Sequence, residues 1–138
     1  MKVTYVLDAC ALLAFLNDEP GADVIDTLLQ QAKNGESTLY MHKLNMLEIY
    51  YDLLREDGQT KAEEILARML ALPLTVVTKL SDTVFKEAGR LKATYAVSLA
   101  DSIALAEAKI RHVQLVTSDH HEFDPLEAKK ELTFYWIR

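Results

Sequence analysis

The sequence is poor in the residues that mark several classes of protein. It contains one cysteine, Cys10, which excludes an internal disulfide framework and a cysteine-based metal cluster and fits a reducing compartment. Only 4 glycines and 3 prolines occur among the 138 residues, and no Gly-, Ser- or Pro-rich stretch divides the chain. We therefore expect residues 1–138 to form one globular domain with a hydrophobic core.

Basic charge and long apolar runs are also lacking. The 15 Lys and Arg residues are outnumbered by 21 Asp and Glu, so the chain has no overall positive field of the kind that many nucleic-acid-binding proteins use. A polyanionic substrate would need a local basic patch or a bound cation. Thr4 and Asp8 interrupt the apolar N-terminal stretch, which is too short to span a membrane. We expect a cytoplasmic protein without a membrane partner.

What the sequence does contain is an alternation of short apolar runs and longer amphipathic segments. The apolar, β-branched runs predict strands, and the segments between them predict helices. Strands that alternate with helices are joined by parallel crossovers, so we predict a three-layer α/β/α fold with a central, mostly parallel sheet of four to five strands. The predicted strands are residues 3–7, 38–41, 74–77, 113–117 and 133–137, the last at a sheet edge.

Two predicted helices form a hairpin over residues 43–71. The first of them carries a heptad-like apolar stripe, which we expect to face the core, and Glu48 flanks this stripe. Near the C-terminus, Asp124 and Pro125 are typical of the start of a short helix. The stripe consists of Leu44, Leu47, Tyr51 and Leu54.

The predicted helix over residues 98–112 is apolar nearly all round, which is typical of a central helix. One side carries Leu99 and Ile103 in a core stripe, while Asp101 lies near the opposite side. Asp101 is then expected within the protein body or at the floor of a cleft. Alternatively, Ser98 and Asp101 form a capping box, in which the positive helix terminus favours the acid. The local pattern leaves both interpretations open.

Four carboxylates occupy positions that are unfavourable for isolated charges. Asp8 and Asp119 follow apolar strands, Glu48 lies beside an apolar helix face, and Asp101 lies in the first turn of the central helix. Sites in parallel sheets form beyond the carboxyl ends of the strands. If these groups converge, repulsion and burial would raise some of their pKa values and destabilise the fold unless a cation lay among them.

The chemistry of such a cluster favours Mg²⁺ or Mn²⁺. Hard oxygen ligands, without cysteine or an organised set of histidines, select these ions over zinc. Carboxylates with such an ion suit phosphodiester hydrolysis, because the ion activates water and neutralises charge on the attacking and leaving oxygens. The ion would also supply the positive charge that the composition lacks.

Four short motifs carry a resemblance to a known family: VLDACALLAFL with Asp8, NMLEIYYDL with Glu48, SLADSIALAEA with Asp101 and LVTSDHHEF with Asp119. In this order and over nearly the whole chain, they resemble the PIN domain, in particular the VapC-like ribonuclease toxins of bacterial and archaeal toxin–antitoxin pairs. The resemblance implies a Mg²⁺- or Mn²⁺-dependent endoribonuclease with these four acids as its catalytic and metal-binding residues. Asp8 and Asp101 would bind the ion, Asp119 would bind it directly or through water, and Glu48 would complete the shell or orient the attacking water.

The resemblance also implies partners besides the RNA substrate. A cognate antitoxin would place its tail in the site groove and repress the operon of the pair through its DNA-binding part. A homodimer or a toxin–antitoxin hetero-oligomer is expected, with exposed apolar faces around the hairpin at residues 43–71 as a place for these contacts. Thr117 precedes Asp119 by two positions, as in many relatives, and either holds a water or metal ligand or is an ordinary strand threonine. Ser118 stands where relatives often have Asn or Arg.

Several other residues have two interpretations each. His120 and His121 contact RNA phosphates or shuttle a proton, or they are solvated loop residues. Lys86, Arg90 and Lys92 form a local basic patch that guides RNA, or they form the solvated face of an amphipathic helix.

Three other functional classes fit the pattern less well. A haloacid-dehalogenase-type phosphatase needs a second aspartate where Cys10 stands, and a phosphoacceptor receiver domain needs an acidic pair where Ala9 follows Asp8. The remaining alternative is a non-catalytic member of the PIN fold that acts as an RNA- or protein-binding regulatory module. The presence of all four acids argues against it.

Overall fold

The computed structural model describes residues 2–138, in which short strands and helices alternate. None of the helices in this part of the chain is long and apolar enough to cross a membrane. In chain order the elements are β1 (Val3–Leu7), α1 (Ala9–Leu16), α2 (Ala22–Lys33), β2 (Ser37–His42), α3 (Lys43–Asp57), α4 (Gln59–Ala71), β3 (Thr75–Val77), α5 (Asp82–Thr94), α6 (Leu99–Arg111), β4 (Gln114–Thr117), α7 (His120–Ala128) and β5 (Phe134–Trp136).

The five strands form one sheet in the order β3-β2-β1-β4-β5, and every neighbouring pair is parallel. The predicted strands are confirmed, including the position of β5 at an edge. The central strand is β1, where Val6 is in register with Tyr40 of β2 on one side and with Leu115 of β4 on the other. Parallel strands of this kind need crossover connections, and the helices supply them.

The direction of winding reverses between β1 and β4. The chain passes outward from β1 through β2 to β3, and then returns to place β4 on the other side of β1. The segments that follow β1 and β4 therefore leave the sheet in different directions and open a crevice at its carboxyl edge. Asp8 directly follows β1, and Asp119 follows β4 after Ser118, so both acids lie at this switch point.

Alternate residues of the strands pack against helices on opposite faces of the sheet. Val6 and Leu115 are buried against α5 and α6 on one face. Leu7 and Val116, the next residue in each strand, are buried against α1 and α2 on the other. The hairpin of α3 and α4 packs beside α1 through a third buried cluster that includes Met41 of β2. The result is the predicted three-layer α/β/α arrangement.

Helix α6 is the central helix that its composition predicts. Every residue from 102 to 108 is buried. The prediction that Leu99 belongs to the core stripe is wrong, because this residue is 67% exposed. Leu99 is the first residue of the helix, and its side chain lies outside the core that buries residues 102–108. The first turn therefore reaches the carboxyl edge of the sheet, where Asp101 lies.

The predicted hairpin is confirmed, but the face that α3 presents to the core is not the predicted one. The buried residues of α3 are Asn45, Met46 and Ile49. Met46 and Ile49 also lie at helical spacing, so the helix has two apolar stripes, and contacts with α1, α4 and α6 bury this second one. The predicted stripe remains 37% to 50% exposed; it consists of Leu44, Leu47, Tyr51 and Leu54.

Helix α7 begins earlier than predicted. It runs from His120, and Pro125 lies inside it instead of at its first turn. The N-cap is Asp119, whose Oδ1 accepts a hydrogen bond from the amide of Glu122 at 3.1 Å. Asp119 thus takes the capping role that the sequence pattern assigned to Asp124, and its position is fixed by the helix that it caps.

Candidate active site

Asp8 is fixed between β1, α1 and β4. It caps α1 through Oδ1, which accepts a hydrogen bond from the amide of Ala11 at 2.8 Å. Its Oδ2 accepts a hydrogen bond from the Thr117 hydroxyl at 2.5 Å. The residue is 1% exposed. A carboxylate that is held at both oxygens has little rotamer freedom, so the fold fixes the orientation of Asp8 before any ligand binds.

Thr117 joins two of the predicted acids. Its hydroxyl donates to Asp8 and also accepts a hydrogen bond from the backbone amide of Asp119 at 3.1 Å. The side chain is fully buried. Of the two interpretations left open by the sequence, that of an ordinary strand threonine does not account for these contacts, because one hydroxyl ties Asp8 to the start of the segment that carries Asp119.

Asp101 lies in the first turn of α6 and is half-buried. Its backbone amide donates to the Ser98 hydroxyl at 3.1 Å, which is the N-cap hydrogen bond of the helix. Its carboxyl group lies close enough to the other acids for their charges to act on it. The two interpretations of Asp101 are therefore compatible: Ser98 caps the turn, and the half-buried carboxyl group is subject to the charges of other acids.

Burial and the charges of neighbouring acids raise the pKa values of three of the predicted acids. Burial raises the pKa of Asp8 to about 7, against hydrogen bonds from Thr117 and Ala11 that lower it, and the charges of Asp101 and Asp119 raise it further. Burial also raises the pKa of Asp101 to about 6, with Asp119 among the charges that contribute. The pKa of half-buried Glu48 is raised by burial and then by the charge of Asp101.

The donor set fits a hydrated divalent cation better than a fully ligated one. Within residues 2–138, no three Asp, Glu, His or Cys side chains lie close enough together to hold an ion by themselves. Mg²⁺ keeps several of its waters and is usually bound through one or two carboxylates, whereas zinc takes a nearly complete shell of nitrogen and sulfur ligands. Asp8 and Asp101, with strongly raised pKa values, are the groups that a cation would stabilise most.

The metal-free protein is expected to lose stability as the pH rises from 5 to 8. The pKa of Asp8 is about 7 in the folded state against an ordinary value of 3.8. Because the folded state binds the proton more tightly, this stabilisation is complete below the ordinary value and is lost as the pH rises through about 7. The raised pKa values of Asp101 and Glu48 act in the same direction. Thermal unfolding in EDTA at both pH values measures the effect, and a midpoint that rises with pH would contradict it.

The contacts of His120 decide between its two interpretations, whereas His121 remains open. The His120 ring stacks on Trp136 with centroids 3.7 Å apart, and its nitrogens contact Asp124 at 2.9 Å and the Arg138 carbonyl at 3.0 Å. These contacts give His120 a structural role, in which it holds the C-terminal residue against α7. His121 is exposed at the start of the same helix, which leaves both of its interpretations open.

The predicted basic patch is largely engaged in contacts within the protein. Arg90 pairs with Glu87 and Glu131 at 2.7 Å each. The Lys92 ammonium donates to the Val97 carbonyl at 2.9 Å. The interpretation of these residues as a surface that guides RNA is therefore not supported, because two of the three cations are already paired or hydrogen-bonded.

Two contacts near the site were not predicted from the sequence. Asn45 is fully buried and donates from Nδ2 to the Ala100 carbonyl at 3.0 Å. Cys10 Sγ lies 2.9 Å from the Ser118 hydroxyl. Burial raises the pKa of the Cys10 thiol, which keeps it neutral. The only sequence signal for Asn45 is a polar residue one turn before Glu48 in an otherwise apolar segment.

The sequence matches the family model of the PIN domain over residues 5–128. Among curated proteins, none matches it at significant similarity.

Solved structures of toxin–antitoxin complexes share the fold. A VapBC2 complex from Rickettsia felis, bound to a DNA fragment from their promoter, superposes with a TM-score of 0.75 at 18% identity, covering 96% of this chain and 98% of the other. DNA-bound VapBC from Salmonella typhimurium gives 0.75 at 13% identity, with 99% of each chain covered. VapBC-1 from nontypeable Haemophilus influenzae gives 0.72 at 14% identity, with 98% of each chain covered.

Proposed function

Because this chain belongs to the PIN-domain family, we propose that it is a divalent-metal-dependent endoribonuclease and the toxin of a cytoplasmic toxin–antitoxin pair. The observation that carries this proposal is that Thr117 joins the buried Asp8 carboxylate to the start of the Asp119 segment at the switch point of the sheet. Burial and the charges of neighbouring acids raise the pKa values of Asp8, Glu48 and Asp101. A fold that needed these positions only for packing would gain stability from neutral residues there.

Each acid has a role that follows from its position. Asp8 and Asp101 would hold Mg²⁺ or Mn²⁺, and Asp119 would contact it directly or through water. The bound ion supplies positive charge to the scissile phosphate and lowers the pKa of the attacking water. Thr117 keeps the Asp8 carboxylate in one orientation through its hydrogen bond. Glu48, half-buried on α3, would complete the shell or orient the attacking water and accept its proton.

The exposed side of the hairpin is the surface that we propose for the antitoxin. The apolar stripe on α3 continues into a groove of about 470 Å³ between α3, α4 and β3. Apolar surface of this kind on a small protein marks an interaction site. A second copy of the chain could use the same stripe in a homodimer when the antitoxin is absent. The apolar residues that line the groove are Met46, Leu47, Tyr50, Leu66, Leu70 and Val76.

Mapping RNA ends in cells tests the proposed activity. Induction of the wild-type chain is expected to produce new internal 5′ ends at defined positions in a subset of RNAs. Induction of Asp101→Asn to the same level should not produce them, because the amide removes a charged ligand without changing the size of the side chain. Identical sets of ends from both proteins would contradict an endoribonuclease that works through this site and would favour a binding module instead.

A further inference from the structure

The peptide unit that precedes Asp101 is held at both ends by side chains. Its carbonyl, on Ala100, accepts a hydrogen bond from Nδ2 of Asn45 at 3.0 Å. Its amide, on Asp101, donates to the Ser98 hydroxyl at 3.1 Å. Ser98 belongs to the N-cap of α6 itself, whereas Asn45 belongs to α3, 55 residues earlier in the chain. The first contact is therefore the one that depends on the packing of two helices.

Asn45 also stands one turn before Glu48 on α3. Residues three apart lie on the same side of a helix, so the segment that carries Glu48 is joined by Asn45 to the turn that carries Asp101. Through one amide, a single side chain joins the segments that carry two of the four acids.

Packing alone does not account for an asparagine at this position. Asn45 is fully buried, and its Oδ1 has no hydrogen-bond donor among the described residues. A buried polar atom without a partner is costly, and replacement by an apolar side chain of similar volume is often neutral or stabilising. Leucine is such a side chain, and its neighbour Met46 is already part of an apolar cluster.

From this geometry we propose that Asn45 is a positioning residue, which docks the Glu48 segment of α3 on the first turn of α6 and thereby sets the Glu48 and Asp101 carboxyl groups relative to a hydrated divalent cation. The inference rests on the proposed metal-dependent function. Asn45 does not touch the reacting atoms. It acts through the Ala100 carbonyl, in the way that outer hydrogen-bond partners orient the ligands of metal sites.

Replacement of Asn45 by leucine separates this role from a contribution to stability. Asn45→Leu removes the hydrogen bond to Ala100 together with the unpartnered oxygen, and Asn45→Ala does the same with less volume if leucine does not fit. The matched control is Ser37→Ala. The Ser37 hydroxyl is the other buried side-chain polar atom without a partner in the described chain. Ser37 is the first residue of β2, so it lies at the amino ends of the strands, away from the carboxyl ends where the acids lie.

Three measurements are made on each variant. Thermal unfolding reports stability, the electron paramagnetic resonance signal of free Mn²⁺ reports metal affinity without RNA, and cleavage of a synthetic RNA that spans a mapped cellular site reports kcat. We expect Asn45→Leu to unfold at or above the wild-type temperature, with Mn²⁺ affinity and kcat each reduced about 10- to 100-fold, as for other outer-shell substitutions. Ser37→Ala should leave affinity and kcat within about twofold, because it lies far from the switch point.

Two results would overturn the inference. One is an Asn45→Leu or Asn45→Ala protein with wild-type Mn²⁺ affinity and kcat. The other is a loss of kcat that follows a lowered unfolding temperature and recovers on cooling, since this is the behaviour of a residue that only stabilises the fold. If the wild-type protein cleaves no RNA, the proposed activity fails, and the Mn²⁺ measurement alone still decides whether Asn45 positions a metal site.

Discussion

Asp8→Asn is expected to reduce RNA cleavage by about a thousandfold or more while making the metal-free protein more stable at pH 8. The loss of activity follows from removing a metal-binding carboxylate, because a bound ion contributes several kcal/mol to the transition state and each 1.4 kcal/mol is a factor of ten. The asparagine can still cap α1, since its oxygen can accept the Ala11 amide as Asp8 does.

The gain in stability comes from the same carboxylate. Asp8 is 1% exposed and its pKa is raised to about 7, so at pH 8 the metal-free fold carries a buried charge that the unfolded chain would solvate. Removing this charge should raise the free energy of unfolding by roughly 2 to 4 kcal/mol, the free energy equivalent of a pKa shift of this size. The effect should be much smaller at pH 5, where Asp8 is protonated in the folded wild type, and should vanish only below the ordinary pKa of 3.8, where the unfolded chain is protonated as well.

Chemical denaturation and RNA cleavage on the same preparations measure both effects. The control is Asp26→Asn, which makes the same chemical change at an exposed position of α2 and should leave cleavage within about twofold and stability within about 0.5 kcal/mol. An Asp8→Asn protein that cleaves RNA like the wild type would exclude Asp8 from the site. One that is inactive and strongly destabilised would mean that Asp8 serves mainly the fold.

Removal of divalent ions is the second change with a large expected effect. In EDTA, cleavage should fall to the background of the buffer, because without the ion the carboxylates of the site would repel the phosphate. Addition of Mg²⁺ or Mn²⁺ in excess of the chelator should restore the full rate. Zinc should restore little, because the carboxylate oxygens do not supply the nitrogen and sulfur ligands that it prefers.

Circular dichroism in EDTA serves as the control for this experiment. The helical signal should persist, because three buried apolar clusters hold the fold together independently of the acids. Cleavage that is insensitive to EDTA would contradict a metal-dependent mechanism. Loss of the helical signal together with the activity would show instead that the ion is needed for folding.

The features that could be predicted from the sequence are those that depend on local pattern. The apolar runs identified all five strands, since a strand buried on both faces has few polar residues. The position of Asp8 directly after β1 required only the rule that sites in parallel sheets form at the carboxyl ends of strands. The composition around Asp101 identified α6 as the central helix, and residues 102–108 are buried on every side.

The features that could not be predicted depend on contacts between distant segments. Helix α3 has two apolar stripes, and nothing within α3 decides which one faces the core. The choice is made by α1, α4 and α6, which bury Met46 and Ile49 and leave Leu47 exposed. Asn45 could be recognised only after α3 and α6 were in contact, because its partner Ala100 is 55 residues away.

The ion pairs around Glu131 illustrate the same limit. Glu131 accepts hydrogen bonds from Arg90, Lys109 and Tyr95, which lower its pKa to about 2. These partners lie 22 to 41 residues away along the chain. The sequence pattern placed Arg90 on a solvated face or in a basic patch, and the packing of α5 and α6 beside the segment before β5 adds Glu131 to its local partner Glu87.

A crystal structure of the protein in Mn²⁺ would show whether the predicted acids hold a divalent ion. An anomalous difference map locates manganese independently of any assumption about its ligands. We expect a peak in the crevice between β1, β4 and α6, bound to Asp8 and Asp101 directly at roughly 2.1 Å or through one water, with Asp119 and Glu48 around it. Saturating Mn²⁺ with no peak in this crevice, or acids that stay too far apart to share one ion and its waters, would contradict the account.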